Sequence, residues 1–275
     1  MTSIRTIAIG VFFLYGLLVA PSIASAQYGA TPFRDPATGE VYHIEGGLEL
    51  WNPPPQLQVA SESLGIVGST IDAAKDLGVM QQRIVEWRLV IRPGRKHKFR
   101  VNYLPMHYMA QSTVHTDFVF NGIHYGINLP VSTDLTWNTW LLGYEYDFLY
   151  HDRWFVGFVA QVKETDVEVK LTSPIPPPDF VVAKAPIPNL GGIVRVYVVP
   201  NISVTGELVG IKIPNSLSTT YRAHYVDFDL YGTVNFTNHA GVQVGYRRID
   251  VGYLINKDSG AFLMKGLYFG GVVRY

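Results

Sequence analysis

The residues of this chain that could do chemistry are charged side chains set at alternate positions among mostly apolar neighbours. Period-two alternation collects Glu45, Glu49, Glu86, Arg88, Arg100, Glu145, Asp147, Lys163, Arg195, Glu207, Asp227, Asp229, Arg247, Asp250 and Arg274 on one face of their strands. Nine acids face six bases. Enclosed in a low-dielectric tube, that surplus of carboxylates would favour cations and give a narrow, weakly cation-preferring passage for a small ion. The opposing expectation is a plugged core, in which the same groups pair and hydrogen-bond across the interior. Barrels of ~8 strands are filled by side chains and open channels appear at ~16, so the plugged core is favoured. Tyr197, Tyr231, Tyr268 and Trp51 fall on the same face and would help fill it.

Hydrolysis is the second chemistry to weigh. The eight histidines are His43, His97, His107, His115, His124, His151, His224 and His239, and only His115 (with Asp117), His124 and His224 lie toward one rim as candidates to activate water or a serine. A protease or lipid esterase at the extracellular rim is therefore the alternative to a non-enzymatic protein. The chain has no G-x-S-x-G, H-E-x-x-H, P-loop or dinucleotide fingerprint, so no catalytic, cofactor or metal residue is assigned and no cofactor is expected.

Composition narrows the classes further. With 22 Lys+Arg against 22 Asp+Glu there is no strong basic surface, and nucleic acid is not an expected partner. Cys is absent, which removes disulfides, thiolate metal sites and cysteine nucleophiles. Only 16% of residues are charged while 13% are aromatic and 26 are Gly, a balance too apolar for disorder and too Gly- and Tyr-rich for a helical bundle. Residues 1–26 read as a secretory signal: Arg5, an apolar run from Ile7 to Ala20, then Ala24-Ser25-Ala26 before Gln27. Residues 27–39, with Pro32, Asp35, Pro36 and Gly39, read as a short periplasmic tail, and 40–275 as one domain.

From residue 40 onward the elements are strands. In 225–236, Val226, Phe228, Leu230, Val234 and Phe236 share one face, and Tyr225, Asp227, Asp229, Tyr231, Thr233 and Asn235 the other. Ten strands are expected, at about 40–51, 81–93, 98–114, 133–150, 154–173, 188–200, 202–214, 223–237, 241–258 and 261–275, with 8 or 12 as fallback. The alternation slips at Arg247-Arg248, which suggests a β-bulge. Between strands, the connections 94–97, 151–153, 200–201 and 238–240 are short, whereas 52–80, 115–132, 174–187 and 215–222 are long and rich in Pro, Ser and Gly, with the last connection, at about 259–260, the exception in length.

Alternating short and long connections are what an outer-membrane barrel has, with tight turns on the periplasmic rim, which would also hold both termini, and long loops outside. The expected fold is therefore all-β: a single antiparallel up-and-down transmembrane β-barrel in the cell outer membrane of a Gram-negative-type bacterium. Lipid offers the backbone no hydrogen-bond partner, so such strands must close on themselves. Tyr42, Trp87, Tyr103, Tyr144, Tyr150, Trp154, Phe236 and Phe269 suit aromatic girdles at the two water boundaries. In the loops, Thr70 to Gly78 reads as a cap, one or two helical turns and a Gly stop, and Asn121-Gly122 as a hairpin turn that would extend strands beyond the bilayer and offer a surface ligand an edge.

The chain ends Leu267-Tyr268-Phe269-Gly270-Gly271-Val272-Val273-Arg274-Tyr275. This resembles the closing strand of the bacterial outer-membrane β-barrel superfamily, in which a terminal aromatic follows apolar residues at every second position. Leu267, Phe269, Val273 and Tyr275 match, and Gly271 departs from the pattern. In size the chain is similar to the small barrels: OmpW, the OmpA transmembrane domain and the omptins. The resemblance implies recognition by the barrel assembly machinery and a final environment of outer-membrane lipid.

Overall fold

The computed structural model describes residues 37–275 apart from 55, 61–70, 73, 75–77, 116, 121–122, 175–178, 213–220 and 256–257. The signal read in residues 1–26 and most of the tail lie outside the described residues. In chain order the strands are β1 (Ile44–Trp51), β2 (Gln56–Ala60), β3 (Ile71–Asp72), β4 (Ile84–Gly94), β5 (His97–Thr113), β6 (Phe118–Phe120) and β7 (Ile123–Tyr125). There follow β8 (Pro130–His151), β9 (Trp154–Thr172), β10 (Asp179–Val199), β11 (Ile202–Lys212), β12 (Tyr221–Asn235), β13 (Ala240–Ile255) and β14 (Asp258–Arg274).

Ten of these pair antiparallel in the order β1-β4-β5-β8-β9-β10-β11-β12-β13-β14, and β14 pairs back onto β1, so the sheet closes into an up-and-down barrel. Closure runs from Glu45 opposite Arg274 to Trp51 opposite Tyr268. Pro53, Pro54 and Pro55 cannot donate to a ladder and interrupt the strand there. Beyond them β2 resumes the same register on β14, Gln56 opposite Leu263 through Ala60 opposite Ser259. Thus β1 and β2 are one strand broken by prolines.

Two-residue turns at Arg95-Lys96, Asp152-Arg153 and Pro200-Asn201, with the longer 236–239, define one rim, and the long connections, with the short link from β13 to β14, the other. β10 begins at Asp179, nine residues before the sequence suggests. Among the described residues its pairing with β11 begins at Leu190, and Pro188, with no described β11 residue opposite it, is tolerated where no ladder needs its N–H. The loop expectations change more. Ile71 and Asp72 belong to β3 rather than to a helical turn, with residues 73 and 75–77 of that segment outside the described residues. β6 and β7 do form a hairpin, its Asn121-Gly122 tip lying outside the described residues, but as a separate sheet. Phe118 and Tyr125 stack at 5.1 Å and turn into the core, so the hairpin caps the barrel instead of lengthening its wall.

The two faces change character along the barrel axis. Toward the turn rim, exposed apolar residues form an outer belt: Leu89, Phe99, Leu142, Phe158, Val194, Val204, Leu208, Leu230, Val244 and Phe269. Leu230 is 45% exposed while Asp227 and Asp229 are buried, so no second sheet covers the apolar face as a sandwich would require. Trp87, Trp154, Phe236 and Phe269 stand exposed on the belt, Tyr103 stacks on exposed Trp140 at 4.4 Å and Tyr144 packs on Phe99. Tyr42 and Tyr150 depart from the expected girdle: Tyr42 is buried beneath the barrel and Tyr150 packs inward on Phe155.

Toward the loop rim the pattern inverts. Outward positions turn polar at His107, Asn138, Glu164, Lys212, His224, Arg248 and Lys265, while inward positions turn apolar at Leu104, Met106, Leu135, Ile249, Phe262 and Met264. This inversion explains the apparent slip at Arg247-Arg248. Pairing is unbroken from Ala240 to Ile255, so there is no bulge; Arg247 points in, Arg248 out and Ile249 in. Register shifts occur elsewhere, between Ile91 and Gly94, Tyr146 and Leu149, and Tyr197 and Val199, each beside a tight turn.

Candidate functional site: a charged polar lumen

Within the belted half, side chains from every strand meet on the axis in stacked charged layers. The layer at the turn rim is built on a strap that precedes β1. Thr38 donates its N–H to the Pro200 carbonyl at 2.7 Å, Gly39 donates to Asn238 Oδ1 at 2.9 Å, and Asn235 Nδ2 donates to the Thr38 carbonyl at 2.7 Å. Glu40 then projects into the lumen, where Arg195 lies 3.3 Å and Arg92 3.4 Å from its carboxylate and Tyr197 donates its hydroxyl at 2.8 Å. Tyr42 lies under the guanidiniums of Arg92 and Arg274, 5.1 and 5.6 Å from its ring centre. Residues 38–42 therefore pass from the β10–β13 turns to β1 across the mouth.

Burial pushes the Glu40 carboxyl up, but Arg195, Lys98 and Arg92, with the Tyr197 hydrogen bond, hold it below its ordinary value. Burial pushes the Tyr42 hydroxyl well up, reinforced by Glu45 and Glu40, so it stays neutral.

Above the strap, Lys98 reaches Glu145 at 2.6 Å and Asp147 at 2.9 Å, and Arg274 pairs with Glu45 and donates to Asn235 Oδ1 at 2.8 Å. In the middle, Arg100 joins Glu207 at 2.8 Å and Glu145 at 3.5 Å, Arg88 pairs with Glu49, and Tyr268 donates to Asp229 at 2.9 Å. Arg195 also donates to Thr205 at 2.8 Å and Tyr231 at 3.1 Å. The upper layer centres on Arg247, which holds Asp227 and Glu86; Lys163 reaches Asp227 at 2.6 Å and pairs with Tyr225, and Asn102 donates to Glu86 at 2.9 Å.

All the lumen residues expected from the alternation line this interior except Asp250. Asp250 stands on the outer wall above the belt, 2.8 Å from Arg248 and 3.2 Å from His224. The face inversion at Arg247 carries it there. Conversely, Glu40, Arg92, Lys98 and Arg153 are buried inside and were not expected. Arg92 and Lys98 flank a turn whose Arg95 and Lys96 are solvated, so composition alone gives no sign that two of four neighbouring cations point in. Among the described residues eight buried acids meet eight buried bases, with the half-buried Glu45 and Arg88 adding one to each side. The expected surplus of carboxylates is gone.

Apolar side chains cover the loop side of these layers. Leu104, Met106, Tyr108, Leu135, Phe262 and Met264 fill the loop-side lumen, with Trp137 stacked on Phe262 at 4.1 Å and the β6–β7 hairpin above. Between these side chains and the upper charged layer is a cavity of about 20 Å³, and a second of about 10 Å³ lies beside Arg100 and Gln161. Each has room for a water or two and no more. Of the histidines proposed for hydrolysis, His124 is exposed 3.7 Å from Asp117, His224 is on the outer wall with Asp250, and His115 is exposed on the loop side. The structure does not bring the three together in one cleft. His107, on the outer wall, bonds Asp134 at 2.8 Å. Among the described residues there is no cluster suited to a metal ion.

No known family model matches the chain, and no curated protein matches it in sequence. Solved structures do. The outer membrane protease OmpT from Escherichia coli aligns over 85% of this chain and 97% of its own, with a TM-score of 0.55 at 9% identity. The fold is that of an outer-membrane β-barrel. An outer membrane channel from Pseudomonas putida F1 aligns over 92% of this chain and 100% of its own (TM-score 0.42, 11% identity). The attachment invasion locus protein Ail of Yersinia pestis aligns over 84% and 99% (TM-score 0.37, 7% identity). At such identities the likeness is one of architecture, and this barrel's lumen and rim must be interpreted on their own chemistry.

Proposed function

We propose that this chain is an integral outer-membrane protein that works as a closed, non-enzymatic barrel: a structural post, anchored by its apolar belt, that lifts its loop rim and capping hairpin clear of the lipid for surface contacts. The observation that carries this reading is the stack of charge-balanced ion pairs, closed below by the Glu40 strap and covered above by apolar side chains. Outer-membrane barrels of known structure support the location, and the outward Leu267, Phe269, Val273 and Tyr275 suit a strand presented to the assembly machinery. The tight-turn rim and both chain ends then belong on the periplasmic side.

A lumen with equal acids and bases among the described residues removes the reason for cation preference, and the two cavities beside its charged layers hold only a water or two each. Planar bilayers containing the purified protein should show no current steps. Regular steps from the unaltered protein would replace this reading with the narrow pore.

The hydrolase alternative draws on the likeness to OmpT and on the exposed His124–Asp117 and His224–Asp250 pairs near the loop rim. It requires turnover of a peptide or lipid ester that His115→Ala, His124→Ala or His224→Ala abolishes. A screen against both substrate classes in lipid vesicles is expected to give none.

A further inference from the structure

Just above the belt the outer wall carries opposite charges on opposite sides. On β9, Glu164, Asp166 and Glu168 share the outward face; in the ladder Asp166 stands opposite Lys184 of β10 and Lys170 opposite Asp134 of β8, which leaves Glu164 and Glu168 as the face's unbalanced charge. Glu164 and Glu168 are exposed and have neither an ion-pair nor a hydrogen-bond partner among the described residues. Across the barrel, Arg248 on β13 and Lys265 on β14 face outward, directly beside each other in the ladder. Arg248 is held by Asp250, whereas Lys265 is likewise exposed and unpartnered among the described residues.

Position makes these two faces a matched pair. In the closed ring of ten strands, β8 is five strands from β13 and β9 five from β14, so the faces are diametrically opposed. Glu164 is the first outward residue beyond the apolar Val162, Arg248 the first beyond Tyr246 and Lys265 the first beyond Leu267, which sets both rows one step above the belt. A membrane fixes the height of that belt for every copy and gives all copies one orientation, so acidic row meets basic row whenever barrels approach by these sides.

We propose that copies of this barrel associate side by side, the Glu164–Glu168 face of one against the Arg248–Lys265 face of the next. Opposed faces make a heterologous contact, which repeats head to tail in rows instead of closing as a two-fold dimer. Charge complementarity sets the partner and the register, and salt screens it. The proposal rests on the belt being lipid-facing, which depth-dependent substitution tests separately.

Because the chain has no Cys, a designed pair of thiols reports the contact without background. Full-length protein carrying Glu164→Cys and Lys265→Cys, oxidised in phosphatidylcholine vesicles, should give a ladder of dimers, trimers and higher species. A Glu164→Cys, Glu168→Cys protein, with both thiols on one face, should not. Lys265→Glu, probed through a Glu168→Cys and Arg248→Cys pair, should reduce the ladder about tenfold, and Glu164→Lys in the same chain should restore it. Should the reversals fail to fold, loss of the ladder from the first thiol pair at high salt gives the same answer. No ladder, or one indifferent to charge and salt, overturns the proposal. It is equally overturned if the basic face retains anionic lipid from mixed vesicles while no cross-link forms, because the face is then a lipid headgroup site.

Discussion

Arg247 grips Asp227 with both arms of its guanidinium, Nε and Nη2 donating to the two carboxylate oxygens at 3.0 and 2.8 Å, while Nη1 reaches across the lumen to Glu86. A planar fork meeting a carboxylate this way uses geometry that a lysine lacks. Removing it would leave Asp227 with Lys163 and the Tyr225 hydroxyl, and strand Glu86 with only Asn102 in the lumen. Arg247→Met should therefore lower unfolding stability in lipid by about 3–5 kcal/mol, and Arg247→Lys should recover only a small part. Urea unfolding followed by Trp fluorescence measures both; a loss under about 1 kcal/mol would mean the layer is hydrated and the lumen more open than described.

The strap depends on one backbone conformation. Gly39 has φ +80°, and a Cβ placed there would stand 2.8 Å from Arg274 Nη1 and 2.9 Å from Asn235 Cγ. Both strain and crowding oppose any side chain, so Gly39→Ala should cost about 1–3 kcal/mol locally. The strap should detach while the barrel persists, visible as faster amide exchange at Thr38 and Gly39 with β4 and β5 unchanged. Unaltered exchange at those two amides would refute the sealing role of this segment.

Acid should loosen the same seal through Glu40. Its folded value lies below its unfolded one, so its contribution is complete above the ordinary carboxylate range and is lost as pH falls through the lowered value. Between about pH 6 and about pH 3 the unaltered protein should lose stability that Glu40→Gln lacks at every pH, and their thermal midpoints should converge. Midpoints that fall in parallel would place the acid sensitivity on other carboxylates.

Alternation made the barrel legible because lipid and lumen demand opposite side chains at successive positions, and Asp227 and Asp229 between Val226, Phe228 and Leu230 leave little choice. The same logic failed where the solvent changes. At Arg247-Arg248 the outside passes from belt to polar wall and the inside from ion pairs to Ile249 and Phe262, so the period is preserved while polarity reverses. Read from polarity alone, that reversal looks like an inserted residue, and it misplaced Asp250. Glu40 was illegible for another reason: its role comes from Arg195, more than 150 positions away, and from a left-handed glycine that no periodicity signals. The tyrosines at 42 and 150 share aromatic chemistry with the girdle, and only strand ends and a register shift beside Tyr146 decide that they point inward.

The belt itself predicts a depth profile. Leu230 and Leu142 lie within it, exposed, whereas Glu168 stands on the polar wall toward the loops. If hydrocarbon surrounds the belt, Leu230→Arg and Leu142→Arg should each destabilise the folded barrel in lipid by about 2–4 kcal/mol, while Glu168→Arg should change it by about 0–1. The contrast is informative because all three sites are exposed on the same cylinder, so packing cannot account for a difference between them. Water around the whole wall would make the three substitutions equivalent, and a second sheet over Leu230 would make that site alone severe. Only lipid makes Leu230 and Leu142 costly together and Glu168 harmless.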